Sequence, residues 1–221
     1  ASHLQDKFVF PVELGVTKVR RVAVLTLAAL LASSVAAQAV TVAQGSTLVG
    51  VADGGIEPTG GGEIGVTNTA YDNSSTTPAS EWVWVDDALT TNSAIFSFSF
   101  SLAGYDVSTA ELTGLWGVDN LGSVSLNGNE LASFSVVDPS TFNPLSPYGT
   151  SNAAFFSVGS NTLTFELRDD PDASADTNQA AFRATAVVTA DLAPIPLPAG
   201  LPLMLCGLAA LGVVRARRKR A

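Results

Sequence analysis

Hydrophobic and polar residues alternate one by one along several short stretches of this chain. The clearest stretch is 95–102, in which Phe96, Phe98 and Phe100 are separated by serines. A period of two places the phenyl rings on one face of a strand and the hydroxyls on the other, which is typical of a half-buried β-strand. The same pattern predicts further strands at 81–85, 124–126, 132–136, 161–167 and 181–188.

Turn residues separate these predicted strands, and no amphipathic helical stripe of useful length lies among them. Asn127-Gly128-Asn129 predicts a tight hairpin, because Asn and Gly tolerate a positive φ. Short strands with turns at this spacing predict an all-β domain, a jelly-roll or β-sandwich, with a closed barrel as the alternative. Its sandwich covers 81–192, and its Gly/Ser/Thr-rich start, 40–80, is predicted to carry strands at 47–51 and 64–66.

The N-terminal region has the layout of a secretory signal peptide, which we assign to 16–39. A basic start with Lys18 and Arg20 precedes an uncharged apolar run, 22–31, and the small-residue exit Ala37-Gln38-Ala39. This order predicts cleavage by signal peptidase after Ala39. Residues 1–15 stand outside the layout and are interpreted as a non-native or mis-annotated extension. The alternative for the apolar run is a short buried or amphipathic helix.

The C-terminal region, 193–221, has a different and more specific layout. Pro196, Leu197, Pro198 and Ala199 precede an apolar stretch, 200–214, and a terminal arginine cluster. A helix over that stretch would be about 22 Å long at 1.5 Å per residue, which is short for a hydrocarbon core of ~30 Å. The basic cluster favours a cytoplasmic C-terminus, with the predicted β domain, 40–192, on the other side of the membrane. We call this domain the body.

This order of parts resembles the PEP-CTERM class of sorting signals, in the variant usually written Val-Pro-Leu-Pro-Ala, with Ile195 in place of the Val. The resemblance implies an exosortase-type membrane transpeptidase as partner and a transient stay in the inner membrane through the C-terminal helix. It further implies sorting to the cell surface or extracellular matrix of a Gram-negative bacterium. A plain C-terminal membrane anchor is the alternative.

A second resemblance lies in the body. Trp116 is followed by Asp119-Asn120, then by Leu126-Asn127-Gly128, and later by Gly159-Ser160-Asn161 before a predicted strand. This pattern is similar to galactose-binding-like jelly-roll domains. The resemblance implies a non-catalytic domain of a kind that often binds glycans.

The charges are distributed unevenly along the chain, whose formal net charge is −9. The segment between residues 22 and 192 contains 18 acidic residues but only two basic ones, Arg168 and Arg183. A body with this excess of negative charge repels phosphate backbones, which excludes nucleic-acid binding. The single cysteine, Cys206, excludes an internal disulfide. The single histidine, His3, lies outside the body, which excludes His-based triads and His metal sites there.

Three groups of residues are candidates for binding. Trp82 and Trp84 share one face of a strand and could stack on sugar rings, or belong to the core. Asp119 and Asn120 are predicted either to hydrogen-bond a ligand from a loop or to shape the turn into Gly122. The alternating carboxylates of an acidic loop are candidate calcium ligands, although a full EF-hand is rejected because Ala175 stands where Gly is required. The loop carboxylates are those of Asp170, Asp172 and Asp176.

The sequence therefore predicts an exported, non-enzymatic β-sandwich protein that associates with extracellular polysaccharide. A structural matrix or adhesion protein acting through protein–protein contacts is the alternative. A glycan hydrolase or lyase is the third reading, since hydrolysis requires two carboxylates facing one bond, and no motif fixes such a pair.

Overall fold

The fold is that of a computed structural model, which describes residues 38–49, 55–60, 62–85, 93–136, 138–169 and 180–195, together with positions 207, 208, 212, 215 and 218. The predicted signal segment up to Ala37 lies outside these residues, as do the predicted processing residues Pro196, Leu197, Pro198 and Ala199. The same holds for the candidate calcium ligands Asp170, Asp172 and Asp176.

The described body consists of antiparallel strands in two sheets, so the predicted all-β sandwich is confirmed. The first sheet has the order β3-β4-β11-β6-β9, with β1 also paired to β11, and the second has the order β2-β5-β10-β7-β8. The strands are β1 (Val40–Ser46), β2 (Glu57–Pro58), β3 (Glu63–Gly65), β4 (Val83–Val85), β5 (Ser93–Ser101), β6 (Tyr105–Asp119), β7 (Leu121–Leu126), β8 (Asn129–Phe134), β9 (Ser146–Thr150), β10 (Ser160–Arg168) and β11 (Ala181–Leu192).

The core lies between the two sheets and is built by the alternation seen in the sequence. In β5 every second residue is buried, including Phe96 and Phe98. In β10 the same alternation buries Phe165, whose ring centroid lies 4.8 Å from that of Phe182 in β11. Trp116 of β6 is buried against Phe165 and is a core residue, as expected for an aromatic residue between apolar neighbours in a strand.

The predicted hairpin at Asn127-Gly128 is confirmed between β7 and β8. Both residues have positive φ, 51° for Asn127 and 81° for Gly128, which a two-residue turn of this type requires. The Asn127 side chain also donates to the Phe155 carbonyl and accepts from the Thr162 amide. The turn is therefore tied to the neighbouring strand as well as to its own hairpin.

The first strand of the body differs from the prediction of a strand at 47–51. β1 instead occupies Val40–Ser46, and Thr47 leaves the strand with its side chain buried. The Thr47 hydroxyl donates to the Glu81 carbonyl at 2.7 Å and accepts from the Ala184 amide at 3.2 Å. Thr47 therefore links β11 to Glu81, which lies just before β4. The pairing of β1 with β11 ends at the preceding residue, Ser46.

The outer face of the first sheet is covered by the segment 66–82. Gly117 of β6 is paired with Arg183 of β11. Both residues lie on the outer face of the sheet, whereas Trp116, which precedes Gly117, faces the core. A Cβ at Gly117 would lie 2.9 Å from the Trp82 ring, so glycine is required for this close approach. The Arg183 guanidinium donates to the carbonyls of Asp72 and Ser74, which holds the covering segment on the sheet.

In the tail, the described positions 207, 208, 212, 215 and 218 are helical. Among the residues that the structure describes, no helix has the length and apolar character needed to cross a membrane.

Candidate functional site

The two ends of the sandwich differ in what they carry. At one end β6 passes into β7 and β10 into β11, so the chain crosses between the sheets there; we call this the crossover end. It is marked by the register pairs Asp119–Ala181 and Arg168–Leu121. At the opposite end, the terminal end, the first residue of β1 is paired with Ala190 near the close of β11. Both ends of the body therefore emerge far from the crossover end.

A groove of about 870 Å³ lies at the crossover end of the second sheet. Its position follows from strand register, because Glu166 of β10 is paired with Ile95 on one side and Ser123 on the other. The next outward pair is Arg168 with Ser93. The residues that line the groove are Thr59, Gly60, Val85, Ser93, Ala94, Ile95, Gly122, Ser123, Glu166, Leu167 and Arg168.

The groove wall combines polar side chains with apolar ones, of which Ile95 is the most exposed. Ile95 is 46% exposed, because the alternation within β5 buries both of its neighbours and turns Ile95 outward. Thr59 is held beside it, because the Thr59 amide donates to the Ile95 carbonyl at 2.7 Å. Serine hydroxyls at 93 and 123 flank the centre of the groove. The surface thus offers donors and acceptors around the exposed Ile95 side chain, with Val85, Ala94 and Leu167 also in the lining.

The charged groups of the groove are Glu166 and Arg168, which lie two residues apart and are both exposed. Neither side chain makes a hydrogen bond or an ion pair with any described residue. The other arginine of the body, Arg183, is 4% exposed and donates to Asp72, Ser74 and Ser80. Within the described part of the body, Arg168 is therefore the cation that a ligand can reach.

Trp82 and Trp84 do not form a stacking platform, and that prediction is wrong. Trp82 is 3% exposed and Trp84 fully buried. The Trp82 indole N–H donates to the Asp72 carbonyl at 2.8 Å, and its ring packs against Tyr71 at a centroid distance of 4.6 Å. A sugar requires an open ring face, and neither ring presents one. The alternative, that the pair belongs to the core, is confirmed.

Asp119 and Asn120 lie at the crossover end but not on the groove. Each is 8% exposed. The Tyr71 hydroxyl donates to one Asp119 oxygen at 2.9 Å, and the Asn120 amide donates to the other. The predicted role as loop-borne ligand contacts is therefore corrected, since these side chains are buried and engaged with each other and with Tyr71. They fix the connection between β6 and β7, which is close to the turn-shaping alternative.

The environment of Asp119 is electrostatically unfavourable to its charge. Burial raises the pKa of the Asp119 carboxyl, and the charge of Asp169 adds to this effect. Asp169 is buried and directly precedes the acidic loop of Asp170, Asp172 and Asp176. Asp119 and Asp169, the last described residue before that loop, thus lie at the same end of the sandwich. Among the described residues, no group of three or more His, Cys, Asp or Glu side chains is arranged to hold a metal ion, and the loop itself lies outside them.

A second, smaller pocket of about 390 Å³ lies beside the covering segment and includes Ser80, Trp82 and Arg183 in its wall. The Arg183 guanidinium also meets the Ser80 hydroxyl at 2.9 Å. Since the hydrogen bonds of this arginine go to its own chain, we interpret the pocket as part of the structural cover.

No protein-family model and no curated protein matches the chain. Among solved structures, it is similar to a family 35 carbohydrate-binding module from an environmental isolate, with 12% identity and a TM-score of 0.34 over 63% of this chain and 94% of that chain. It is also similar to a β-D-glucuronidase from Dictyoglomus thermophilum, with 9% identity and a TM-score of 0.32 over 55% of this chain and 26% of that chain. At such identities and TM-scores, no ligand or activity carries over to this chain.

The groove residues were missed by the sequence analysis. Glu166 and Ile95 occupy the outward positions of correctly predicted strands, where the alternation only indicates exposure. The one available signal was Arg168, because it is one of just two cations between residues 22 and 192. Its partners across the sheet could be found only from the register.

Proposed function

We propose that this protein is an exported, non-enzymatic surface or matrix protein whose β-sandwich binds polysaccharide in the groove at the crossover end. The observation that carries the proposal is the groove itself, a volume of about 870 Å³ bordered by polar side chains and the exposed Ile95. Binding sites typically combine apolar surface with a few polar groups that fix orientation. The groove has both components.

The chemistry of the wall suits a sugar. Hydroxyls such as those of Ser93 and Ser123 both donate and accept, as sugar hydroxyls do. Arg168 supplies donors in a planar fork, and Glu166 supplies acceptors. Ile95 offers aliphatic surface to the C–H face of a ring. Together these groups match a ligand that presents many hydroxyls around a weakly apolar ring.

The position of the groove suits a protein sorted through its C-terminal region. β11 ends at Leu192, directly before the segment 193–221 that resembles a sorting signal. β11 has 12 residues, so it spans about 40 Å at 3.3 Å per residue. A domain held at its terminal end would present the groove on the far side, toward surrounding polysaccharide.

The proposal is tested by retention of the purified protein on extracellular polysaccharide from the producing bacterium, measured by affinity electrophoresis. Ser123→Trp fills the groove and is expected to weaken retention at least 10-fold. Thr162→Trp adds the same ring to an exposed position on β10 outside the groove, and should change retention less than 2-fold. Absence of retention of the unmodified protein, or equal effects of both variants, would refute the proposal.

Export and sorting are tested separately, by the intact mass of the protein recovered from the cell surface. We expect a mature N-terminus at Val40, the residue at which β1 begins, and loss of the chain beyond the Pro-Leu-Pro-Ala motif. Co-purification of protein partners in place of polysaccharide would favour the alternative of a structural matrix protein.

A further inference from the structure

The groove holds one carboxylate and one guanidinium on the same strand face. Glu166 and Arg168 are two residues apart on β10, which places both side chains on one side of the sheet about 7 Å apart along the strand. Both are exposed, and neither is paired with a described residue. The binding surface is therefore charged but locally balanced.

The hydrogen-bonding capacities of the two groups are complementary. A guanidinium only donates, and an ionised carboxylate only accepts. A sugar hydroxyl does both, so adjacent hydroxyls can accept from Arg168 and donate to Glu166. A ligand carboxylate can accept from Arg168 but has no proton for Glu166, and two carboxylates in one groove repel each other.

The negative charge of the surrounding body adds a long-range repulsion of anionic ligands to the repulsion by Glu166. Apart from Arg168 and Arg183, the chain between residues 22 and 192 has 18 acidic residues and no other cation. Fields from such an excess act over a Debye length of about 8–10 Å at 0.10–0.15 M salt and further at low salt. A polyanion approaching the groove meets this repulsion, whereas an uncharged chain does not.

We infer that the groove selects uncharged polysaccharide over carboxylated polysaccharide, with Glu166 and Arg168 as the specificity-determining pair. This inference rests on the proposed function and names its ligand class. It separates the groove from any calcium-dependent contact with acidic polysaccharide through the loop of Asp170, Asp172 and Asp176, whose chemistry is different.

The test uses one polysaccharide in two charge states. Extracellular polysaccharide of the producing bacterium is prepared with its carboxyl groups reduced to alcohols, and a portion is then oxidised at its primary hydroxyls to carboxylates. The uncharged form is expected to bind at least 10-fold more tightly at 20 mM NaCl. The preference should shrink at 500 mM NaCl without disappearing, because salt screens the body charge better than the contact with Glu166.

Matched variants separate the groove from the general field. Glu166→Gln is expected to reduce the preference for the uncharged form at least 5-fold. Glu111→Gln removes the same charge from an exposed position of β6 on the other sheet, and should reduce the preference less than 2-fold. Arg168→Met should weaken binding of both forms, because each accepts from this side chain.

The outcomes distinguish the two levels of the proposal. Tighter binding of the carboxylated form, or equal effects of Glu166→Gln and Glu111→Gln, would overturn the inference. If the carboxylated form bound more tightly and its binding were lost in Ser123→Trp, the groove would remain the polysaccharide site with a different ligand class. Failure to bind either form would overturn the proposed function and the inference with it.

Discussion

Replacing Arg183 by methionine tests whether one buried side chain holds the cover on the first sheet. The guanidinium donates to the Asp72 carbonyl at 2.6 Å, to the Ser74 carbonyl at 2.7 Å and to the Ser80 hydroxyl at 2.9 Å. Methionine preserves most of the aliphatic packing but removes all three hydrogen bonds; the Ser74 carbonyl loses its donor, whereas the Asp72 carbonyl keeps the Trp82 indole N–H and the Ser80 hydroxyl keeps its contact with Thr76. The substitution therefore separates hydrogen bonding from packing.

The expected magnitude follows from two opposing contributions. Leaving a buried acceptor unsatisfied costs about 1–3 kcal/mol, and part of this is recovered by water because two of the acceptors are only part-buried. Burial also lowers the pKa of Arg183, so removing its charge relieves a desolvation cost. We expect a net loss of about 3 kcal/mol in the free energy of unfolding, or roughly 6–12 °C in Tm for a domain of this size.

The assay is urea denaturation followed by tryptophan fluorescence, together with hydrogen exchange over residues 66–82. Arg168→Met is the matched control, because Arg168 is exposed and makes no hydrogen bond or ion pair with a described residue; it should cost less than about 0.5 kcal/mol. Equal stabilities of the two variants, with unchanged exchange in 66–82, would refute the assignment of Arg183 as a clamp.

Three further predictions concern stability. Burial raises the pKa of Glu63 from 4.5 to about 7, with the charges of Glu57 and Glu81 contributing; the folded state therefore holds this proton more tightly, and stability falls as pH rises from 4.5 to 7. Glu63→Gln should remove about 1–2 kcal/mol of that fall after allowance for solvent screening, and an unchanged difference between pH 4.5 and pH 8 in urea denaturation would contradict this. Gly117→Ala places a Cβ 2.8 Å from Leu145 and 2.9 Å from the Trp82 ring, so a loss of about 1–3 kcal/mol is expected in thermal denaturation. Asn127→Ala removes the side-chain contacts of a residue with φ of 51° and should cost about 1–2 kcal/mol, whereas Asn127→Gly should cost less because glycine tolerates that φ.

The part of the fold that the sequence predicts best is the part governed by side-chain alternation. In β5 and β10 the burial of every second residue follows the printed pattern directly. β11 is buried on both faces over most of its length, so alternation could not reveal which residues face the core. β1 was missed because Val40–Ser46 is a short edge strand, and its end depends on the contact of Thr47 with Glu81, a residue 34 positions away.

The candidate site could be predicted less well, for a related reason. Trp82 looks the same in the sequence whether its ring faces solvent or a covering segment, and only the placement of 66–82 decides between them. The groove depends on three strands meeting in register, with Glu166 between Ile95 and Ser123. Residues at 95, 123 and 166 are brought together by long-range pairing, and no local spacing records it.

The two arginines of the body show how charge scarcity narrows a functional assignment. A protein surface with many cations can contact an anion at many places, so the position of any one cation says little about where a ligand binds. Here Arg183 is committed to carbonyl and hydroxyl oxygens beneath the cover, and Arg168 stands in the groove beside Glu166. An anionic ligand that needed several cations would find only one on the described body, and that one has a carboxylate as its neighbour. Because hydroxyls are the groups that can satisfy both partners at once, this scarcity of cations supports the proposal of an uncharged sugar at this site.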